Sequence, residues 1–266
     1  MKYRTMAISL TAFLLALGVP PAGHSQTSSQ ETATAQAANP PAANLTDEQL
    51  GELHMARKEY REAVAVFQRL VAQAPRNAVY QNKLGIAYHQ MALLGPAKSC
   101  YERAIKADPS YADARNNLGT IWYQRKRYGK AIKTYQKAIE VRPDMAVLHS
   151  NLGYAYFAEK KYEEAIGAFR QALALDPRFF EQSSTRSASV LQDRSVDDRG
   201  RFYFLLAKSF AQSGNVERCL HYLRKARDEG YTALSTVKTD PAFAAVLAAP
   251  ELEELLAPRP AEAVRP

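Results

Sequence analysis

Small and apolar residues recur along this chain with a period of 34 residues. Four prolines spaced by this interval, Pro75, Pro109, Pro143 and Pro177, mark the ends of four successive windows. In every window the seventh residue is leucine, the eighth is glycine and the twentieth is alanine. The twenty-fourth is Phe or Tyr, and the twenty-seventh is Leu or Ala. A match at so many positions predicts one structural unit copied four times.

The spacing within each window predicts a pair of packed helices. At 100° per residue, positions 4, 7, 8 and 11 lie on one face of the first helix. Glycine at position 8 and alanine at positions 20 and 27 let the two backbones approach closely. The proline ends the second helix, because the residue before it is pushed out of the α region. Tyr88, Trp122 and Tyr156 occupy position 11, so we expect these aromatic side chains in the core.

This pattern resembles the tetratricopeptide repeat family, whose period it shares. The resemblance covers residues 44–177 and implies an all-α, right-handed helical solenoid. The repeats in register are 44–77, 78–111, 112–145 and 146–179. A degenerate fifth copy is predicted at 200–233, with Leu206 at position 7 and Cys219 at position 20. A helical cap at 234–257 is expected to cover the last apolar face.

Three further segments fall outside the repeats. Residues 26–43 consist mainly of Ala, Thr, Gln, Asn and Pro and predict a flexible low-complexity linker. Residues 178–199 are rich in Ser, Asp and Arg, and we interpret them as an inserted polar segment. That insert is either a loop on the binding face or a disordered connection. Residues 258–266 predict a disordered tail.

Residues 1–25 have the features of a secretory signal peptide. Lys2 and Arg4 precede a 14-residue apolar run that begins at Met6, and small residues precede a predicted cleavage site near Ser25. Retention as a membrane anchor is the alternative, although a spanning helix needs about 20 apolar residues. We therefore expect an exported protein, periplasmic or secreted, with no membrane span after cleavage.

The chain has a net charge of +8 at pH 7, and much of it lies in the third repeat. Residues 112–143 contain eight basic and two acidic residues. Arg125, Lys126 and Arg127 fall in the turn between the two helices, and Lys130 follows on the second helix. A solvated turn is the favoured interpretation, and an acidic polymer or protein partner is the functional alternative. Nucleic acid is not expected, because an exported protein seldom meets it.

No constellation of catalytic or metal-ligating residues stands out. None of the five histidines pairs with another at metal-ligand spacing, and Cys-x-x-Cys is absent, so we expect no metal and no other cofactor. Cys100 and Cys219 fall in different repeats, and Cys219 stands where a small buried residue belongs, so no disulfide is expected. The chain is therefore expected to be neither an enzyme nor a binder of small-molecule substrates.

A peptide-binding groove is implied by the resemblance, since positions 2, 5, 6, 9, 12 and 13 of the first helices line the concave surface in that family. Asparagine amides alternate there with aromatic side chains that we expect to be exposed. An amide both donates and accepts hydrogen bonds, so it can hold a peptide backbone. The alternative is that the amides hydrogen-bond between neighbouring helices. The candidate groove residues are Asn82, Lys83, His89, Asn116, Asn117, Tyr123, Asn151, Tyr154 and Phe157.

These observations predict a non-catalytic scaffold or adaptor that binds an extended peptide or a partner helix in its groove. Asn117 and Asn151 share position 6, and stacking is expected to place their amides side by side along that groove. The alternative function is a periplasmic assembly factor for an envelope, pilus or secretion complex, docking through a basic convex surface. Either way the partner is a protein or peptide whose identity the sequence leaves open.

Export makes the first testable prediction. N-terminal sequencing of the exported protein should give a first residue near Gln26, because cleavage is predicted after the small residues that end at Ser25. Intact Met1 on soluble cytoplasmic protein would contradict the signal-peptide interpretation.

Overall fold

The computed structural model describes residues 45–182 and 196–257. The described residues belong to one compact unit, Ala42–Pro266. The predicted signal peptide (1–25), linker (26–43) and tail (258–266) lie outside the described residues, as does the stretch 183–195 of the predicted insert.

Four consecutive helix pairs correspond to the four windows of the sequence. Their paired arrangement confirms the all-α solenoid that the sequence predicted. The helices are α1 (Asp47–Ala56), α2 (Tyr60–Gln73), α3 (Ala78–Gln90), α4 (Leu94–Ala107), α5 (Ala112–Gln124), α6 (Tyr128–Val141), α7 (Ala146–Ala158) and α8 (Tyr162–Leu175).

The remaining elements follow the fourth pair. A short helix, α9 (Phe179–Gln182), precedes the predicted fifth copy, which consists of α10 (Val196–Gln212) and α11 (Val216–Asp228). Two 3₁₀ helices, Thr232–Lys238 and Pro241–Val246, and a final α12 (Pro250–Leu256) form the cap.

The periodic prolines end the second helix of each pair, as predicted. The residue before each proline has left the helical region: φ is −135° at Ala74, Asp108 and Arg142, and −142° at Asp176. Their ψ angles lie between 75° and 99°, far from the α region that a following proline disfavours.

Side chains at position 4 of the first helices close the turns between repeats. Gln81 donates from Nε2 to the carbonyl of the preceding periodic proline at 3.1 Å. His149 donates from Nε2 to the equivalent carbonyl at 2.9 Å, and Arg115 makes the corresponding bond in the third repeat. Three different residue types therefore satisfy the same backbone acceptor.

The turn within each pair uses one left-handed residue at position 15. Lys58, Ala92, Lys126 and Lys160 have φ between 56° and 62°, and Gly214 has φ of 78°. Gly214 occupies position 15 when Leu206 is taken as position 7, so the fifth copy turns at the same place as the other four. Positive φ suits glycine and is costly for other residues, which shows that the turn geometry is maintained against local preference.

The contact between position 8 and position 24 holds each pair together. A Cβ on Gly119 would lie 2.5 Å from Cε1 of Tyr135, a distance that real contacts do not reach. Tyr135 is buried, and its hydroxyl lies 3.2 Å from Oγ1 of Thr120, so the ring has little freedom to move. The same contact recurs as Gly51–Phe67, Gly85–Tyr101 and Gly153–Phe169.

An aromatic cluster joins the fourth pair to α10. Phe202 stacks on Tyr154 with 5.6 Å between ring centroids, and it meets Phe169 edge-on at 5.9 Å. Phe180 of α9 also meets Phe169 edge-on, at 5.5 Å, and is buried. The interpretation of residues 178–199 as a polar surface segment is therefore wrong at Phe180, which is part of the core.

The cap covers the end of the fifth copy with apolar side chains, including the buried Phe243 and Leu252. An ion pair of 2.9 Å between Lys208 and Asp240 ties the cap to α10. Burial opposes ionisation of Asp240, but hydrogen bonds from Lys208 and from the Ala242 N–H outweigh it and lower the pKa of Asp240.

Both cysteines are buried free thiols, and Cys219 fills the small buried position predicted for it. Burial raises the pKa of Cys219 to about 12, so this side chain behaves as a small apolar residue. Among the described helices, none combines the length and the apolar character needed to cross a membrane.

The glycine–aromatic contact predicts opposite effects for the same substitution at two glycines. Gly119→Ala should lower the free energy of unfolding by about 1–3 kcal/mol, because its Cβ overlaps the Tyr135 ring. Gly129 lies in α6 with nothing within 4 Å of an added Cβ, so Gly129→Ala should raise stability by about 0.5–1 kcal/mol. Denaturant unfolding of both variants checks this, and equal effects would show that the contact is not tight.

Candidate functional site

The asparagines of the predicted groove form bridges between neighbouring repeats. Asn117 donates from Nδ2 to Oδ1 of Asn82 at 3.0 Å. Asn82 in turn donates from Nδ2 to the Tyr111 hydroxyl at 3.3 Å and is 4% exposed. Both polar atoms of the Asn82 side chain are therefore used inside the protein.

The same bridge recurs one repeat later. Asn151 donates from Nδ2 to Oδ1 of Asn116 at 2.7 Å. In both bridges position 6 of one repeat donates to position 5 of the preceding repeat, 35 residues earlier. Asn117 and Asn151 thus each bond to the preceding repeat, which is the alternative that the sequence left open for these amides.

Two of the asparagine side chains keep one unused hydrogen-bonding group each. Within residues 45–182 and 196–257, Nδ2 of Asn116 and Oδ1 of Asn117 make no hydrogen bond. Both side chains are half-buried rather than enclosed. One donor and one acceptor on neighbouring residues therefore remain available to a bound molecule. Positions 2, 5, 6, 9, 12 and 13 of the first three repeats lie on or next to α1, α3 and α5. We call the surface that they form the groove face.

Lys83 occupies the bridging position between the first and second repeats. Its Nζ lies 2.8 Å from Glu48 and 2.6 Å from Glu52. Burial opposes the charge on Lys83, but its hydrogen bonds to the two carboxylates outweigh that cost and raise its pKa. Because Lys83 is already paired with two carboxylates, it is poorly placed to bind the carboxylate of a ligand.

His89 bridges the second and third repeats at the far end of the helices. Its Nε2 lies 2.8 Å from Oε1 of Gln124, and its Nδ1 lies 3.4 Å from the Tyr101 hydroxyl. Tyr123 is half-buried, with its ring 5.4 Å from that of Tyr128. These groove residues are held in place by contacts on both sides.

Tyr154 and Phe157 do not line an open surface. They are 3% and 2% exposed, because Phe202 of α10 packs against both rings. The expectation of exposed aromatics is wrong at these two positions. Ser150, at position 5 of the same helix, is fully buried, and its Oγ has no hydrogen-bond partner among the described residues. The groove face therefore does not extend onto the fourth repeat, where α10 covers Tyr154 and Phe157.

The aromatic residues at position 11 pack against the core, as expected, but they are only half-buried. Tyr88 and Tyr156 are half-buried, and each hydroxyl accepts from a glutamine of the preceding second helix, at 2.8 and 3.0 Å. Trp122 lies between two lysines, with Nζ of Lys98 at 5.4 Å and Nζ of Lys130 at 4.7 Å from the ring centroid. The hydroxyls of Tyr88 and Tyr156 reach the surface, where they find polar partners.

The predicted basic patch lies where the sequence placed it, in the turn between α5 and α6. Arg125, Lys126 and Arg127 are exposed, and Lys130 is held over Trp122. A depression of about 510 Å³ separates this turn from the equivalent turn of the fourth repeat, which includes Lys160.

Within the described residues, no group of histidine, cysteine, aspartate or glutamate side chains could hold a metal ion. The polar side chains of the groove face bind one another across repeats. Their geometry suits hydrogen bonding to a ligand rather than bond-making chemistry.

Family models described as tetratricopeptide repeats match residues 48–90, 78–111 and 146–179, and a model described as TPR repeat matches 119–160. The chain is a tetratricopeptide repeat protein. Two of these ranges, 78–111 and 146–179, are the second and fourth windows read from the periodic prolines. No curated protein gave a significant match.

Several solved structures are similar to this chain. MamA 41-end from Desulfovibrio magneticus RS-1 is 16% identical over 69% of this chain and 93% of its own, with a TM-score of 0.50. Another MamA crystal structure is 19% identical over 68% and 94% of the two chains, with a TM-score of 0.49. YrrB, described as a TPR protein with an unusual peptide-binding site, is 20% identical over 67% and 82%, with a TM-score of 0.46.

The hydrogen bond between Asn117 and Asn82 predicts that this tetratricopeptide repeat protein loses stability when Asn117 is truncated. Asn117→Ala should lower the free energy of unfolding by about 1–3 kcal/mol, because it removes the donor to the buried Oδ1 of Asn82. Gln90→Ala is the control, since Gln90 is exposed at the end of α3, and it should change stability by less than about 0.5 kcal/mol. Equal melting temperatures for Asn117→Ala and the wild type would show that the bridge carries no stability.

Proposed function

We propose that this protein is a non-catalytic scaffold that holds an extended peptide along the groove face of its first three repeats. The observation that carries the proposal is the unused donor of Asn116 next to the unused acceptor of Asn117. A peptide backbone presents one acceptor and one donor per residue, so it matches this pair without regard to its side chains.

The bridges between repeats favour such binding. Asn116 accepts from Asn151, and Asn117 donates to Asn82, so one end of each amide is fixed before any ligand arrives. A side chain that is already ordered loses less conformational entropy when it binds. The same bonds that tie the repeats together therefore orient the remaining donor and acceptor.

The amide pair favours an extended peptide over a partner helix. The backbone groups of a helix are bonded within the helix, so they offer few donors and acceptors to a flanking asparagine. An extended strand leaves its backbone groups available, as in other modes of peptide recognition that rely on main-chain bonds.

The first repeat adds a charge preference to the groove face. The side chains of Glu48 and Glu52 are 45% and 54% exposed, and Lys83 is the cation between them. Two carboxylates against one ammonium leave a net negative charge at this end. A positively charged peptide residue would be favoured there.

We also propose that the scaffold acts outside the cytoplasm, in the periplasm or after secretion. The support is the charged start, the short apolar run and the small residues of the first 25 positions.

A nearly isosteric substitution tests the groove. Asn116→Asp keeps an oxygen to accept from Asn151 but replaces the free Nδ2 donor with an acceptor. Peptides would first be selected from a random dodecapeptide library on the full chain. Their affinity for Asn116→Asp should fall by about ten-fold or more, because a lost bond and a new repulsion act together.

The control is Gln73→Glu, which makes the same charge change at the exposed end of α2. Gln73→Glu should bind the selected peptides within about two-fold of the wild type. The melting temperatures of Asn116→Asp and Gln73→Glu should both equal that of the wild type. Selected peptides that bind Asn116→Asp and the wild type equally well would place the binding surface elsewhere.

A further inference from the structure

Two consecutive turns between the helices form a cationic depression. The turn between α5 and α6 contributes Lys126, Arg127, Tyr128 and Lys130. The turn between α7 and α8 contributes Glu159 and Lys160. Four cations and one carboxylate thus line a space of about 510 Å³, and we call this space the turn cleft.

The charges of the turn cleft are not neutralised by the protein. In the part of the chain that the structure describes, Lys126, Arg127 and Lys160 form no ion pair. By contrast, Lys83 and Lys208 each contact two carboxylates. The positive charges of the turn cleft therefore remain available to the negative charges of a partner.

The backbone that carries these charges is fixed. Lys126 and Lys160 both have left-handed φ angles, 56° and 62°, and both N–H groups bond to the end of the preceding helix, at 2.8 and 3.0 Å. Lys130 rests over Trp122 with its Nζ 4.7 Å from the ring centroid. The two lysines at position 15 therefore stand one repeat apart on rigid supports.

We propose that the turn cleft docks a short acidic segment of a partner protein. Both turns line the same depression, so one short extended segment can contact them together. Carboxylates two residues apart on an extended strand point to the same side and are about 7 Å apart. Acidic side chains repeated at this interval would meet both turns at once.

The neighbouring turn favours a peptide over a nucleic acid. The turn of the second repeat is Met91, Ala92 and Leu93, with no charge, and Leu93 is 42% exposed. The cationic surface is therefore interrupted after two turns. Non-specific nucleic-acid binding draws its affinity from many phosphate contacts, and these two turns supply four lining cations.

The test uses the full chain and a defined probe. A fluorescein-labelled peptide of four Gly-Glu units would be titrated and its anisotropy measured, with a Gly-Gln peptide and a 12-nucleotide single-stranded DNA as comparisons. Trp122 is the one tryptophan of the chain and lies beneath Lys130, so its emission should change when the Gly-Glu peptide binds.

Matched charge reversals locate the site. Lys126→Glu and Lys160→Glu should each weaken binding of the Gly-Glu peptide by about ten-fold. Lys58→Glu makes the same change at position 15 of the first repeat, with a similar φ of 60°, and should leave the affinity within about two-fold. Raising the salt concentration should weaken binding, because the contacts are exposed.

Three outcomes would overturn the proposal. Equal weakening by Lys58→Glu would indicate general charge attraction rather than a site. Equal binding of the Gly-Gln peptide would exclude recognition of carboxylates. Tighter binding of the DNA, lost through Lys126→Glu and Lys160→Glu, would make the turn cleft a nucleic-acid surface. Asn116→Asp should not affect Gly-Glu binding, so the outcome is independent of the groove.

Discussion

Each helix pair depends on the contact between a glycine in its first helix and an aromatic ring in its second. An added Cβ at Gly85, Gly119 or Gly153 would lie within 2.6 Å of the facing ring, so the two helices are as close as their side chains permit. This spacing fixes where the other faces of the first helix point. The bridges of Asn82 and Asn116 can form at about 3 Å only because every pair has the same internal geometry.

The sequence predicted what belongs to a single repeat. Helix pairs, the proline stops and the glycine–aromatic contact all follow from periodicity, and the structure confirms them. The partners of Asn117 and Asn151 could not be read in that way. They lie 35 residues back, one more than the period, and that offset depends on how neighbouring pairs stack. A search for polar pairs one residue beyond the period would have found both bridges.

The buried positions of Tyr154 and Phe157 were missed for a related reason. Their place on the helix matches that of exposed residues in earlier repeats, and only the neighbour differs. Phe202 lies in the degenerate copy, and the segment before that copy breaks the 34-residue period. Within the described residues, no earlier junction between repeats contains an equivalent contact, so the periodicity could not predict this one. Phe180 escaped notice because it lies next to a polar stretch. Burial here is a property of the junction and not of the helix that carries the residue.

The joints between repeats are therefore of two chemical kinds. Between the second and fourth repeats they include directional hydrogen bonds, whereas Ser150, at the next accepting position, has no partner among the described residues. Leu205 stands at the donating position of the fifth copy. That junction consists mainly of aromatic rings, with one hydrogen bond of 3.3 Å from Arg201 to the Tyr162 hydroxyl beside them. Apolar contacts weaken on cooling and tolerate small rotations of the side chains. A hydrogen bond of 2.7–3.0 Å is less sensitive to cooling and requires a more precise angle. The free energies of the two kinds of joint should therefore respond differently to temperature.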